Sequence, residues 1–434
     1  MKNFSNILER LKKNQLLKDS LWSLIGNSLG KGLALIAGIL IARFLGKDIY
    51  GEYGVIKTTI LSIGVFSTFG LGYTATKYIS EYRIIDSGKI PQFLNVARKI
   101  TLVFSGCMAM LVFLFSDFIA IRLFSAAYLS QPLKILSILI IFNAFVTTQI
   151  GILSGFGNFK EIAKVNSFVG LLTFIFSLPL TYLYGLNGAL TALLLVQVMN
   201  FILNYIIIKK ELLKIPSASK YEPTMLRNTI NFSLPIALQE SIYAMSSWLS
   251  IFILIRFSNY GEVGLYSAAI QWNSIILFIP SILRNVVLSH LSKNSNNQQE
   301  HSKILKYTTY INIVATLIPS ILIFLFSPLI AKIYGESFEG ISVLISLAVF
   351  ITVFSSVSNV YTQAYISIGK NWLMFLLKGS REFLIIITFI MIMYFSDLSG
   401  AKSIIYSNLI CSIVYMFVIT SIYSSLEKSG VKNI

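Results

Sequence analysis

Apolar runs of about twenty residues recur along this chain from one end to the other, each long enough to cross a bilayer as a helix. The first, SLWSLIGNSLGKGLALIAGILIA over residues 20–42, contains a single charge, Lys31. Such runs place spans near 20–43, 53–76, 95–115, 133–155, 162–183, 188–208, 230–256, 264–288, 307–327, 341–366, 372–394 and 403–424. The expected fold is an all-α integral membrane protein with twelve transmembrane helices. Little of the 434-residue chain is left over for a soluble catalytic domain. Only 12% of the residues are charged, about half the share of an ordinary soluble protein.

The net charge of +17 raises nucleic acid as a partner, but the placement of the charges argues against it. Of the 35 Lys and Arg, twenty-three fall in the two tails and the loops after even-numbered spans, counted with the adjoining helix ends. Seven fall in the opposite loops and five inside spans. That bias is the positive-inside pattern, which puts both termini in the cytoplasm and makes the basic balance a topology signal. Membrane lipids are the expected contacts, anionic headgroups among them. In MKNFSNILERLKKNQLLKDS, Phe4, Ile7, Leu8 and Leu11 share one helical face opposite the charges. Residues 1–19 therefore read as an interfacial amphipathic segment and not as a cleaved leader. Cys107 and Cys411 stand in separate spans at no metal-ligand spacing, and no metal or cofactor is expected.

Six spans precede the polar stretch KKELLKIPSASKYEPTMLRN, residues 209–228, and six follow it. RFLGKDIYGEY from Arg43 and RFSNYGEVGLY from Arg256 align without gaps at an offset of 213, sharing Arg, Phe, Gly and Tyr. A weaker echo pairs TQIGILSGFG from Thr148 with TQAYISIG from Thr362 across a two-residue gap. Six helices return a chain to the side it started from, so the copies are parallel repeats about an axis along the membrane normal. The expected plan is two pseudo-symmetric six-helix lobes, 20–208 and 229–434, joined by a cytoplasmic linker over 209–228.

At about 100° per residue, Ser20, Ser23, Asn27, Lys31 and Gly38 lie on one face of span 1. Trp22, Ile25, Leu29, Leu33, Ile36 and Leu40 lie on the other. Gly26, Gly30 and Ala34 form a small-residue ridge beside the polar face, which allows close helix approach. The offset of 213 carries Ser20 to Ser233, Asn27 to Glu240 and Lys31 to Ala244. The polar stripe thus recurs on span 7, with an acid about one turn from the place of the cation.

Lys31, Lys57, Arg284, Lys378 and Arg381, with Glu240 and Glu382, would together cost on the order of 20 kcal/mol if all faced lipid. They are expected to meet one another, a wet cavity or the interface. Lys57 stands near the outer end of span 2 and can snorkel, while Arg284 shares a face with Asn273 and Pro280. Lys378 and Glu382, four apart, can neutralise each other and leave Arg381, and Lys31 can pair with Glu240 across spans 1 and 7. Arg43 and Arg256 read as anchors at the outer interface. Five buried cations against two anions imply a net-positive chamber between the lobes, suited to an anionic head group. Lys31, Asn27, Arg284, Lys378, Arg381 and Lys57 are the candidate substrate contacts; Glu240 and Glu382 are the candidates for H+ or Na+ coupling or gating. Pro179, Pro235, Pro280 and Pro319 lie inside spans and are the expected bend points.

ARFLGKDIYGEYGV, closing span 1, and STFGLGYTATKYISEY, closing span 2, resemble segments of the polysaccharide repeat-unit flippases. These Wzx-type O-antigen and capsule translocases belong to a MATE-like superfamily that also holds multidrug extruders and lipid II flippases. The resemblance extends over the whole chain. It implies transfer of an undecaprenyl-diphosphate-linked oligosaccharide from the cytoplasmic to the outer leaflet of a bacterial inner membrane, by alternating access, for surface polysaccharide assembly. The implied partners are that polyprenyl-linked glycan, a glycan polymerase and a chain-length regulator. The lipid II branch has a basic residue on its first helix, where Lys31 stands here. The drug extruders commonly depend on membrane acids, often in the N-terminal lobe, and the six N-terminal spans here contain none.

A cation-coupled multidrug exporter of the same fold is the second reading, and a membrane glycan polymerase or ligase the third. Such an enzyme would need acid, base or metal groups converging on the outer side. The outer segment SDFIAIRLFSAAYLS is short, and the two histidines, His290 and His301, lie in or beside a cytoplasmic loop. The chain is accordingly read as a carrier and not as an enzyme.

Overall fold

The computed structural model describes residues 15–215, 223–278, 280–281, 287, 291 and 298–428. The interfacial segment expected over residues 1–14 and the candidate Arg284 lie outside the described residues, and nothing is described of the Asn27 side chain. Among the described residues all regular structure is helical. The first half holds α1 (Gln15–Thr68), α2 (Leu71–Ile85), α3 (Ile90–Phe118), α4 (Ser130–Gly155) and α5 (Phe159–Leu212). It continues into α6 (Met225–Phe257), α7 (Tyr260–Ile270) and the single turn α8 (Asn273–Ile276). Then come α9 (Gln298–Tyr334), α10 (Ile341–Ser367), α11 (Asn371–Phe395) and α12 (Gly400–Lys428). Eight helical stretches among the described residues are long and apolar enough to cross a membrane.

α1 and α5 each run for 54 residues. A straight helix of that length would measure about 80 Å, far more than a hydrocarbon core of about 30 Å. Each leaves helical geometry once, α1 at Gly46 (φ 70°, ψ 167°) and α5 at Gly185 (φ 56°, ψ −132°). Only a residue without a Cβ takes those angles at no steric cost. Each long helix therefore divides into two limbs of membrane-crossing length, at the loops expected between spans 1 and 2 and between spans 5 and 6. The limbs of α5 lie so close that a Cβ on Gly188 would fall 1.8 Å from the Leu180 carbonyl oxygen. The backbone of α5 breaks at Gly185 and stays helical at Pro179, the expected bend point.

The continuous span expected over 53–76 is interrupted at Phe69 (φ 48°) and Gly70 (φ 65°). Gly70 packs closely at the break: a Cβ there would lie 2.9 Å from the Ser233 carbonyl oxygen. Ser67 and Thr68 hydroxyls donate to the carbonyls of Gly64 and Val65 just before the interruption. Irregular backbone at membrane depth persists only where protein or a wet cavity meets its polar groups.

By their contacts the residues group into two units, one of Met1–Ile41 and Ile56–Met245 and one of Ala42–Val55 and Ser246–Ile434. The corner after span 1 thus groups with the second half of the chain, and the start of α6 with the first. Within the second unit the repeated corner motifs meet. A Cβ on Gly51 would lie 1.8 Å from the Tyr260 carbonyl oxygen, and one on Gly264 would lie 2.0 Å from that of Lys47. Gly264 is Gly51 shifted by 213, and Tyr260 is Lys47 shifted by the same amount. Each copy of the motif therefore makes on the other the contact it receives. Tyr50, stacked on Tyr53 and edge-on to Phe338, fixes the corner in this unit, and Arg43 Nη1 donates to Ile333 O at 3.4 Å.

The weaker echo is also built into the backbone. α4 and α10 both close on a left-handed glycine, Gly157 (φ 75°) and Gly369 (φ 74°). Asn158 N bonds Leu153 O at 2.9 Å and Lys370 N bonds Tyr365 O at 3.0 Å, the same helix-ending pattern twice.

Candidate functional site

The second unit places a charged cluster inside its helices. Arg381 and Glu382, neighbours on α11, form a pair with Nη1 to Oε1 at 3.0 Å and side chains only 19% and 13% exposed. The other carboxylate oxygen, Oε2, accepts from Ser246 Oγ of α6 at 2.9 Å. Arg381 Nη2 donates to Ser412 Oγ of α12 at 3.2 Å, and the guanidinium carbon stands 5.6 Å from the centre of the Tyr415 ring. Three helices thus converge on one ion pair. Yet Arg381 Nε and Tyr415 Oη are buried with no hydrogen-bond partner among the described residues. An unmatched buried donor costs about 1–3 kcal/mol, so two together at an ion pair mark a place shaped for an acceptor. An anionic oxygen is what a guanidinium fork with a free N–H receives best.

The expectation that Arg381 is left over is corrected here: Arg381 itself holds Glu382. Successive side chains on a helix point about 100° apart, but an arginine stem is long enough to bring its fork round to the neighbouring carboxylate. Lys378, one turn earlier, is half-buried on the same helix.

The first unit holds Lys31, Lys57 and Glu240. Lys31 is exposed, next to Gly30, whose Cβ position would lie 2.3 Å from Asn166 O of α5. Ser167 Oγ donates to Gly26 O at 2.6 Å, so the small ridge of α1 is its contact with α5 and the face carrying Lys31 is turned away from that contact. Lys57 and Glu240 are half-buried. Ser233, the repeat mate of Ser20, is buried and shares a hydrogen bond with Thr74 Oγ1 at 2.8 Å. Around these the first unit buries neutral polar groups: Asn204 Nδ2 donates to Asn200 Oδ1 at 2.8 Å, and Thr101 and Thr148 hydroxyls lie 3.2 Å apart.

Ser246, Ser412 and Tyr415 were not legible as site residues in the sequence. Each is a neutral residue in an apolar span, and only folding brings them to Arg381. The spacing of Ser412 and Tyr415, three apart and so on one face of α12, was the available signal.

The comparisons with known proteins agree with this architecture. Curated protein sequences give no match. Among solved structures, a multidrug resistance MATE family transporter of the MOP superfamily in an inward-facing conformation superposes with a TM-score of 0.76. It is 16% identical, with 95% of this chain and 99% of that one covered. Lipid II flippase MurJ in an inward closed conformation gives a TM-score of 0.68 at 16% identity, covering 92% of this chain and 87% of that one. A MOP superfamily transporter from Pyrococcus furiosus, described as having a binding pocket of reversed polarity, gives 0.68 at 15% identity, covering 95% and 96%. The fold is that of the MOP superfamily transporters. In sequence, the polysaccharide biosynthesis protein family matches residues 16–294, more than half of the molecule, and to that family this chain belongs.

Proposed function

We propose that this protein is a flippase that moves a polyprenyl-diphosphate-linked oligosaccharide from the cytoplasmic to the outer leaflet of a bacterial cytoplasmic membrane. It acts as a carrier and not as an enzyme, through twelve spans with both termini in the cytoplasm. The observation that carries the reading is membership of a polysaccharide biosynthesis family on a transporter fold, a fold that also serves a lipid II flippase. The chemistry of the candidate site supports the substrate class. Arg381 offers an unmatched N–H beside Tyr415 Oη, and Lys31, Lys57, Arg284 and Lys378 add cations within spans. A diphosphate supplies acceptor oxygens for the unmatched Arg381 N–H and the Tyr415 hydroxyl.

The membrane potential favours this direction. A charge crossing the field is worth about 2.3 kcal/mol per 100 mV, so a doubly charged diphosphate moving outward across an inside-negative membrane gains about 4.6 kcal/mol. A glycan polymerase and a chain-length regulator would take up the product on the outer side.

The test is replacement of the cations in cells that depend on this protein for surface glycan. Lys31→Ala, Arg284→Ala and Arg381→Ala are each expected to abolish or sharply reduce glycan assembly while the protein remains inserted. Full glycan assembly in all three variants contradicts the cationic-site reading.

A further inference from the structure

The start of α9 is two-faced. His301, Leu305, Thr308 and Asn312 are buried. Lys303, Lys306, Tyr307 and Tyr310 lie on the opposite face, within an arc of about 100°, and all four are exposed. That face is one wall of an open groove of about 890 Å³, with Glu427 of α12 on the other side. Gln298 Nε2 donates to Glu427 O at 2.9 Å and ties the start of α9 to the end of α12. The groove carries two ammonium groups and one carboxylate. Lys303 stands 3.9 Å from Glu300, a long ion pair, and Lys306 is in no ion pair among the described residues.

Lys303 and Lys306 precede the apolar run that begins near residue 307, and Tyr307 and Tyr310 open it. That is the depth at which ammonium groups and tyrosines meet lipid phosphates. The same face continues along α9 as Ile318, Ile321 and Leu325, all apolar and exposed. A charged groove leading onto an apolar strip fits a ligand with an anionic head and a long hydrocarbon tail. Interfacial anchors also use lysine and tyrosine, but an anchor needs no groove. This groove falls within the range of about 300–1,000 Å³ common for ligand sites, room for a diphosphate and a first sugar. Tyr415, at the Arg381 site, stands twelve residues before Glu427 on α12, about 18 Å along the helix. The half-thickness of a hydrocarbon core is about 15 Å, so the groove is at the membrane surface and the Arg381 site near the midplane.

We propose that this groove is a loading site for the diphosphate-linked sugar head of the carrier's lipid substrate, an inference that rests on the transport reading above. It lies on the side of the C-terminal tail, the cytoplasmic side in that reading, where the lipid waits before crossing. The Lys303 and Lys306 ammonium groups receive the diphosphate oxygens in charge-assisted hydrogen bonds, which are among the strong ones. Tyr307 and Tyr310 offer the apolar faces of their rings to the first sugar and their hydroxyls to its hydroxyls. The polyprenyl chain runs in the lipid along Ile318, Ile321 and Leu325. From this place the head moves inward to Arg381.

The test measures retention of undecaprenyl-diphosphate N-acetylglucosamine by the full chain in phosphatidylcholine nanodiscs. The protein carries Arg381→Met with Glu382→Gln, so that the deep site does not contribute. Adding Lys303→Gln with Lys306→Gln should weaken retention about tenfold, and adding Tyr307→Ala with Tyr310→Ala about fivefold. All four residues are exposed, so folded yield should not change. Phosphatidylglycerol, offered in place of the probe, should be retained more weakly and should not respond to the tyrosine pair. Unchanged retention of the probe in both pairs would overturn the proposal. So would an equal response of probe and phosphatidylglycerol, which makes the face an ordinary lipid anchor, or displacement of the probe by an equal concentration of free pyrophosphate. If the wild-type protein holds the probe in this groove and transfers none of it in proteoliposomes, the transport reading fails and the binding site stands.

Discussion

Both units bury neutral polar groups, and the second adds a side-chain ion pair held among three helices. In the first, Asn204 donates to Asn200, and the Thr101 and Thr148 hydroxyls share a hydrogen bond. In the second, Arg381 and Glu382 pair. The backbone tells the opposite story, since Gly51 answers Gly264 and Gly157 answers Gly369. The two copies agree where close approach or a left-handed residue dictates the chain path, and they differ in the charged side chains they carry. A duplicated scaffold therefore carries charges at different places in its two copies.

The largest expected effect tests the agreement. Gly51→Val and Gly264→Val each drive a side chain into a carbonyl oxygen of the opposite copy, at contacts of 1.8 and 2.0 Å. Each should cost about 4 kcal/mol or more and reduce folded protein, read by size-exclusion of the detergent extract, to background. If one is tolerated and the other is not, the reciprocal crossing is wrong.

The next effect tests the difference. Arg381→Met strands the Glu382 carboxylate and should cost about 3–5 kcal/mol in thermal unfolding, whereas Arg381→Met with Glu382→Gln should recover most of that loss. Asn204→Leu in the first unit removes neutral hydrogen bonds and should cost only about 1 kcal/mol. Equal losses in the two units would erase the distinction between them. The smallest pair returns to the backbone: Gly157→Ala and Gly369→Ala place a Cβ at positive φ and should each cost about 1 kcal/mol, alike within error. A clear inequality there would mean the two helix ends are not equivalent.

Much of the fold was legible because hydropathy and a short repeat report directly on spans and symmetry. The offset read from eleven residues around Arg43 and Arg256 brings Gly51 against Gly264 in the structure. Hydropathy registers polarity and not backbone angles, so it could not show that α1 stays helical through its loop and turns at Gly46, or that span 2 breaks at Phe69–Gly70. The site was legible only as charges that lipid would not tolerate. Arg381, which the i, i+4 spacing of Lys378 and Glu382 would leave over, pairs with Glu382 by the reach of its long side chain. Ser246, Ser412 and Tyr415 are uncharged and distant in sequence from Arg381 and Glu382, a separation that no local pattern can bridge.

The central claim is transfer of a lipid-linked oligosaccharide between leaflets. Its most direct test is leaflet-specific labelling of that lipid in proteoliposomes containing the protein, its Arg381→Ala variant, or no protein. The account predicts that glycan becomes accessible on the far side with the wild-type protein and stays near the protein-free level with the variant. Equal accessibility in all three preparations would contradict it.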